Sequence, residues 1–250
     1  MNEREQRIAH IIAWLRQQVH ETKTNGLTVG ISGGVDSAVV AFLIKQAFPD
    51  HSLGVIMPCH SNPEDEEDAL KVAEASGIDH IVVDLSDTHD HLLHNLQIQL
   101  SEKDRGKVEI GRLVDGNLRA RLRMSTLYAV ANHYHYLVAG TDNAAEWYTG
   151  YFTKYGDGGV DLLPIARLPK RDVYRWAEYF GVPASVMERS PSAGLWDGQN
   201  DETELGTTYD KIDDLLAGKS IPDEDRRKIV TMHRRTEHKR TTPSIPPEFP

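Results

Sequence analysis

The chain has little of several features that define whole classes of protein. It has a single cysteine, Cys59, so we expect no internal disulfide and no cysteine-based zinc site, which is typical of a reducing compartment. Its apolar runs fall short of the roughly 18 residues that a membrane helix requires. Basic residues are also few, since 28 Lys and Arg stand against 38 Asp and Glu. The resulting net charge of −10 argues against general binding to DNA or RNA.

The ends and the length of the chain support a simple organisation. The first residues, MNEREQRIAH, are charged and have no apolar signal-peptide core, so we expect a cytoplasmic protein. At 250 residues, the simplest expectation is one α/β domain over residues 1–250. Cys59 follows a predicted strand, where a small packed side chain is a better interpretation than a reactive thiol.

Residues 27–37, LTVGISGGVDS, join a short apolar run to a helical pattern through a Ser-Gly-Gly turn. The run is too short and apolar to be half exposed, which favours a strand inside a parallel sheet. Gly33 and Gly34 allow a sharp turn and a close approach to a ligand. The free N–H groups of the following helix favour an anion such as phosphate. Asp36 beside phosphates would require a cation such as Mg²⁺, whereas the alternative is a structural turn capped by Asp36 or Ser37.

Strands and helices alternate along the sequence. Further short apolar runs predict strands at residues 53–57, 81–83, 136–139 and 160–165. Helical spacing predicts an opening amphipathic helix through Ile8, Leu15 and Val19, and a long helix from Asn117 to about His133. This alternation predicts a doubly wound parallel sheet of five strands, with helices on both faces and ligands at the carboxyl ends of the strands.

Residues 86–112 are harder to assign. They include His89, His91 and His94 close to Asp87 and Asp90. A metal site is one interpretation, but the spacing matches no standard site. The solvated start of a helix is therefore the better prediction.

The long helix contains an arginine at a position that we predict to be buried. At 100° per residue, Arg121 falls within an apolar arc, with Arg119 and Arg123 on the other side. A buried arginine needs either an internal acid or an anionic ligand, and the pattern leaves both open.

A polar, glycine-rich stretch over residues 140–159 follows the fourth predicted strand. Long loops in compact domains are usually functional or disordered, and the aromatic residues here make disorder the poorer prediction. Glu146 and Asp36 could share a metal, and nearby lysines could hold phosphates. An ordinary surface loop is the alternative.

Several segments together resemble the ammonia-dependent NAD synthetases, which belong to the ATP pyrophosphatases with their SGGxDS pyrophosphate loop. The matching segments are ISGGVDS, GNLRARLRM, GTDNAAEWYTGYFTKYGDGGVDLLPIARLPK, SPSAGLWDGQNDETELGTTYD and EHKRTTP. The resemblance implies a Rossmann-like, adenine nucleotide alpha-hydrolase-like fold without a glutaminase domain, and a homodimer. It also implies ATP-dependent amidation of deamido-NAD⁺ with ammonia through an adenylated nicotinate, giving NAD⁺, AMP and pyrophosphate.

The resemblance assigns roles residue by residue. The residues implied to bind ATP are Gly30, Ile31, Ser32, Gly33, Gly34, Val35, Asp36, Ser37, Thr141, Lys170 and Ser192. The implied Mg²⁺ ligands are Asp36 and Glu146. The implied contacts to deamido-NAD⁺ are Arg121, Lys154, Asp161, His238 and Lys239. The implied catalytic residues are Asp36, Lys170 and Asp157, with Asp157 binding ammonium and helping to free its lone pair or serving a structural role.

Two kinds of rival remain. Another enzyme with the same loop, such as a tRNA-modifying ligase or a GMP synthetase, is disfavoured by residues 140–170, and the former also by the acidic charge. A catalytically silent nucleotide-binding module is disfavoured because Asp36, Glu146 and Lys170 are all present. We also expect residues 190–204 to form a loop that orders over bound nucleotide.

Overall fold

The computed structural model describes residues 2–192, 194 and 198–248. The strands are β1 (Gly26–Gly30), β2 (Ser52–Ile56), β3 (Asp79–Val82) and β4 (Tyr136–Val138). The first helices are α1 (Glu3–Thr22), α2 (Val35–Ala47), α3 (Pro63–Ser76), α4 (Ser86–Asp104), α5 (Arg112–Tyr134) and α6 (Ala144–Thr149). The others are α7 (Lys170–Phe180), α8 (Ala184–Met187), α9 (Asp201–Leu205), α10 (Tyr209–Leu216), α11 (Asp223–Arg235) and a 3-10 turn (Glu237–Lys239).

The strands form one parallel sheet in the order β3-β2-β1-β4. The chain builds outward from β1 to β3 and then crosses back to place β4 on the other side of β1. The connections that leave the carboxyl ends of β1 and β4 thus run in opposite directions, which opens a crevice where this kind of sheet binds ligands. The predicted doubly wound parallel architecture is confirmed.

Apolar residues cover both faces of the sheet. On one face α2 is buried almost all round and packs against α1 and α7, with Leu15, Leu43 and Trp176 in the core. On the other face α5 packs on β1 and β4 through Leu127 and Ala131. The predicted amphipathic character of α1 is confirmed, because Ile8, Leu15 and Val19 are its buried residues. Among the described residues, no helix has both the length and the apolar character needed to cross a bilayer.

The fifth predicted strand does not form. Residues 160–165 run beside β4, but only Leu162 forms a bridge, to Ala139. The Asp161 side chain takes one ladder position, since its Oδ2 accepts from Val138 N at 2.8 Å. Backbone hydrogen bonds join the two segments only around this bridge, from Leu162 N to Val138 O at 3.1 Å and from Gly140 N to Leu162 O at 2.7 Å. The Asp161 side chain takes the donor that a longer strand would use, and the sheet has four strands in the described part of the chain.

Two segments contain more helix than predicted. Residues 86–112, which periodicity did not resolve, include the 19-residue helix α4. Residues 190–204 include the start of α9, whose N-cap Asn200 accepts from Thr203 N at 3.0 Å. Residues 193 and 195–197 lie outside the described residues, so the predicted loop closure stays a prediction.

Arg121 is exposed, contrary to the predicted burial. The buried residues of α5 are Gly116, Ala120, Leu127 and Ala131, a face that lies to one side of the predicted arc. Leu122 and Tyr128 only flank this face, and counting them as part of it placed the predicted centre of the buried face too close to Arg121. Arg123 instead faces the protein and donates to Met57 O at 3.1 Å, because it lies one helical turn from both Ala120 and Leu127.

Candidate active site

The loop after β1 is shaped by Gly33. Its φ of +81° is a conformation that residues with a Cβ rarely adopt, and an added Cβ would lie 2.5 Å from Asp65 O. Gly34 caps α2 without a side-chain hydrogen bond, so no side chain of the cap covers the first N–H groups of the helix. Ser32 Oγ and Ser37 Oγ lie 3.1 Å apart across the turn. The loop thus presents hydroxyls and N–H groups at the end of a buried strand, as phosphate binding requires.

A buried lysine joins two carboxylates next to this loop. Lys170 Nζ lies 2.5 Å from Asp36 Oδ2 and 3.5 Å from Glu146 Oε1, and its side chain is 5% exposed. Lys170 begins α7, where its backbone N donates to Asp213 Oδ1 at 3.1 Å. These residues come from three separate helices, so the cluster forms only when the chain has folded.

The start of α6 fixes the orientation of both acids. Asn143 Oδ1 accepts from Glu146 N at 3.1 Å while Glu146 Oε2 accepts from Asn143 N at 3.1 Å, which is a capping box. Asn143 Nδ2 also donates to Asp36 Oδ1 at 2.9 Å. On the other side, Tyr209 OH donates to Glu146 Oε1 at 2.9 Å. The carboxylates are therefore held by the fold before any ligand arrives.

Acidic groups outnumber basic groups around Lys170. Burial, with repulsion from Asp36, raises the pKa of Glu146 to about 7. Burial also raises the pKa of Asp142, with further contributions from Asp157 and Glu146. Burial opposes the charge of Lys170, but Asp36 and Glu146 outweigh it and raise the lysine pKa.

Asp142 Oδ2 is buried with no hydrogen-bond partner among the described residues. Clustered, largely dehydrated carboxylate oxygens of this kind favour a bound cation. Asp36 and Glu146 therefore fit the oxygen-ligand chemistry of Mg²⁺.

These groups line a cavity of about 820 Å³ at the β1–β4 crevice. All eight predicted loop residues from Gly30 to Ser37 line it, and so do Thr141 and Ser192. Glu146, Asp157, Lys170 and Lys239 line it as well. Asp157 Oδ1 accepts from Thr153 N at 2.9 Å, and burial raises its pKa. The structure thus brings the predicted ATP, metal and catalytic residues to one site.

The predicted deamido-NAD⁺ contacts are more dispersed. Lys239 Nζ reaches the cavity wall and donates to Gly150 O at 2.8 Å and to Phe152 O at 2.6 Å. Lys154 Nζ donates to His238 O, and Arg121 Nη2 donates to Lys154 O at 3.3 Å. These four residues form a connected patch, but Arg121, Lys154 and His238 do not line the cavity.

Asp161 lies apart from this patch. It accepts from Tyr128 OH at 3.0 Å and from Val138 N, so it ties α5 to β4.

Sequence reasoning missed several residues that shape the site. Asn143 carried a signal, because Asn-x-x-Glu is a capping box and here orients both acids. Arg123, in the cavity wall, donates to Ser61 Oγ at 3.0 Å, and the spacing from Ala120 to Leu127 could have revealed it. Tyr209 carried no local signal, since it lies 63 residues from Glu146.

Fold and site together define a nucleotide-binding α/β protein of the pyrophosphate-loop class. The chain belongs to the NAD synthase family, whose family model, described as "NAD synthase", matches residues 7–243.

Individual relatives agree with this assignment. The NH(3)-dependent NAD(+) synthetase of Alkaliphilus oremlandii is 57% identical over 239 residues, 96% of each chain. The structure of NMN synthetase from Francisella tularensis has a TM-score of 0.90 at 36% identity and covers 100% of both chains. NAD+ synthetase from Burkholderia pseudomallei has a TM-score of 0.78 at 29% identity, over 97% of this chain and 92% of that one.

Proposed function

We propose that the chain amidates the nicotinate carboxylate of deamido-NAD⁺ with ammonia, at the expense of ATP, as the last step in making NAD⁺. The observation that carries this proposal is the position of the Gly33 loop beside Asp36, Lys170 and Glu146 in one cavity. A carboxylate is a poor acyl electrophile, so amide formation requires a leaving group first. In the proposed first step, a nicotinate oxygen attacks the α-phosphorus of ATP, and the bond to the β-phosphate breaks to release pyrophosphate. In the second, ammonia attacks the carbonyl carbon, AMP leaves and a proton is lost.

The residues of the chain divide the work. Residues 30–37 hold the phosphates through N–H groups and hydroxyls, with Thr141 and Ser192 completing the ATP site. Lys170 supplies a buried positive charge next to them, which would stabilise the negative charge that develops on the leaving group. Asp157 binds ammonium at the cavity wall, and because burial raises its pKa it is a better proton acceptor than an ordinary aspartate.

Asp36 and Glu146 are the proposed Mg²⁺ ligands. Bound there, the ion would supply positive charge between the carboxylates and the phosphates. The same two acids hold Lys170, so the lysine can move toward phosphate when another cation neutralises them.

The dinucleotide contacts and the assembly belong together in this proposal. Arg121, Lys154, Asp161, His238 and Lys239 are the proposed contacts of deamido-NAD⁺, and all but Lys239 lie outside the cavity of a single chain. We propose a homodimer in which a second copy completes that region. Exposed apolar side chains on α4 and α5 support it: Leu92, Leu96, Leu100, Leu113 and Val114 are 36–68% exposed. The acidic charge and the single buried cysteine support a cytoplasmic protein that binds no nucleic acid.

The decisive experiment is a product balance. The purified chain is incubated with deamido-NAD⁺, Mg-ATP and ammonium, and products are separated by chromatography. We expect NAD⁺, AMP and pyrophosphate in equal amounts. Formation of ADP, or ATP binding without turnover, would refute the proposal.

A second candidate substrate is nicotinate mononucleotide, amidated to NMN by the same chemistry. Two observations favour it: the higher TM-score with the NMN synthetase of Francisella tularensis, and the position of Arg121 and His238 outside the cavity. Parallel measurements of kcat/KM for the dinucleotide and the mononucleotide decide between them. A preference for the mononucleotide would leave Arg121 and His238 without a substrate role.

A further inference from the structure

A histidine pair lies outside the proposed catalytic cluster, where the loop after β2 meets the start of α4. His60, His89 and Asp90 each present one ligand atom, and these three atoms lie within 4.8 Å of one another. His60 Nε2 is 2.6 Å from Asp90 Oδ1, and His89 Nδ1 is 3.3 Å from the same oxygen. Neither the amidation chemistry nor the phosphate site uses these side chains.

His89 is the most informative member of this triad. Its side chain is 2% exposed, and Nε2 lies 2.8 Å from Asp115 Oδ1, although this contact is poorly directed for a hydrogen bond. Asp115 is in turn paired with Arg119 at 2.8 Å. Nδ1 on the other side of the ring faces Asp90, so the buried ring lies between two carboxylates. A carboxylate behind a histidine is the usual outer partner of a metal-binding imidazole.

The remaining groups favour a metal ion at this point. A histidine and an aspartate alone could pair with each other, whereas His60 directs a third ligand atom to the same place. His60 also adopts the left-handed conformation, with φ of +51°, and its backbone N donates to Ser86 Oγ at 3.1 Å. The loop thus holds His60 toward α4 in a strained backbone conformation.

We propose that His60, His89 and Asp90 bind a divalent transition metal of the zinc type, with water in the fourth position. Two imidazoles and a carboxylate with one open position are a common zinc ligand set. Ligand atoms around tetrahedral zinc are spaced about 3.3 Å apart, which matches the distance between His89 and Asp90. His60 must withdraw slightly from Asp90, and its side chain is 40% exposed, so it has room to do so. Since Asp90 is 60% exposed, water can reach the metal.

A metal here would stabilise one side of the cavity from outside it. His60 lines the cavity, and the metal would tie its loop to α4 and, through Asp115, to α5. The site is chemically distinct from Asp36 and Glu146, which offer only oxygen ligands.

The test uses the full chain, stripped of metal with a chelator and then kept in excess Mg²⁺ to occupy the carboxylate cluster. Titration with Co²⁺, followed by visible absorption, and with Zn²⁺, followed by calorimetry, should show one site per chain. We expect His60→Ala to weaken binding at least about tenfold and Asp115→Asn by about 10–100-fold. His91→Ala and His94→Ala are matched controls on the exposed side of α4 and should bind like the unmodified chain.

Three outcomes would overturn the proposal. They are the absence of a stoichiometric site in excess Mg²⁺, unchanged affinity in His60→Ala, or an equal loss in His91→Ala. Because the His60 side chain is partly exposed, its replacement should not unfold the chain, and circular dichroism of each variant checks this.

Discussion

Replacing Lys170 by methionine tests whether the buried ion pair organises the site. Methionine keeps an unbranched stem of similar length but removes the charge that lies between Asp36 and Glu146. With the lysine side chain 5% exposed and the acids 16% and 13% exposed, two dehydrated carboxylates would then face each other. Removal of one partner from a buried ion pair costs about 3–5 kcal/mol. For a chain of this length, each kcal/mol lowers Tm by about 2–4 °C, so Lys170→Met should lower Tm by roughly 6–20 °C.

Thermal unfolding followed by circular dichroism in the presence of EDTA measures this effect. Arg175→Met is the matched control, because Arg175 is on the same helix and pairs with Asp172 at 3.0 Å, but its side chain is 67% exposed. An exposed pair of that kind contributes about 1 kcal/mol or less.

The double variant Lys170→Met/Glu146→Gln tests whether the loss of stability comes from the unpaired acids. Removing the second acid should recover about 0.5–3 kcal/mol of the loss, since the two sites are coupled. A Tm for Lys170→Met equal to that of Arg175→Met, or a double variant less stable than the sum of the single changes, would refute the reasoning.

Three further experiments test other parts of the structure. Gly33→Ala should lower ATP affinity at least about tenfold and destabilise the fold by about 1–3 kcal/mol, because the new Cβ meets Asp65 O at 2.5 Å. The control Gly77→Ala, with a φ of +67° and no atom within 4 Å, should leave ATP affinity unchanged in the same titration, and equal losses would contradict the role of the loop. Burial raises the pKa of Cys59 above 9.0, so iodoacetamide at pH 8 should label the native chain at least about tenfold more slowly than the urea-unfolded chain, as measured by mass spectrometry. Equal labelling rates would refute the burial. Because a raised thiol pKa means that ionisation opposes folding, this thiol lowers the free energy of unfolding only as the pH rises through 9.0 and above. Arg121→Ala should reduce kcat/KM for deamido-NAD⁺ more than it weakens ATP binding, and an equal effect on both would remove Arg121 from the dinucleotide site.

The sequence predicted the parts of the fold that depend on local pattern. The strand, turn and helix at residues 26–47 are recognisable because buried parallel strands are continuous apolar runs and the glycine turn is distinctive. Residues 160–165 have the same apolar character, yet the side chain of Asp161 takes the hydrogen bond of a fifth strand. Such a substitution of side chain for backbone depends on tertiary position, which a hydropathy pattern does not contain.

The site shows the same division. The phosphate loop and the acids Asp36 and Glu146 could be placed from motif and strand order, since parallel strands end at one edge of the sheet. Arg121 was placed wrongly because α5 has two adjacent apolar stripes, and only contact with β1 and β4 decides which one is buried. Cys59 was predicted as a packed residue and is fully buried, which confirms that interpretation.

The capping box of α6 has a consequence for which changes the site can tolerate. Glu146 uses one oxygen to start its own helix and turns the other toward Lys170 and Tyr209, while Asn143 divides its amide in the same way between the helix and Asp36. Aspartate at position 146 would be one carbon too short to reach in both directions at once. Loss of either residue would therefore damage the helix and the chemistry together, because the hydrogen bonds that cap this six-residue helix also orient the acids of the site.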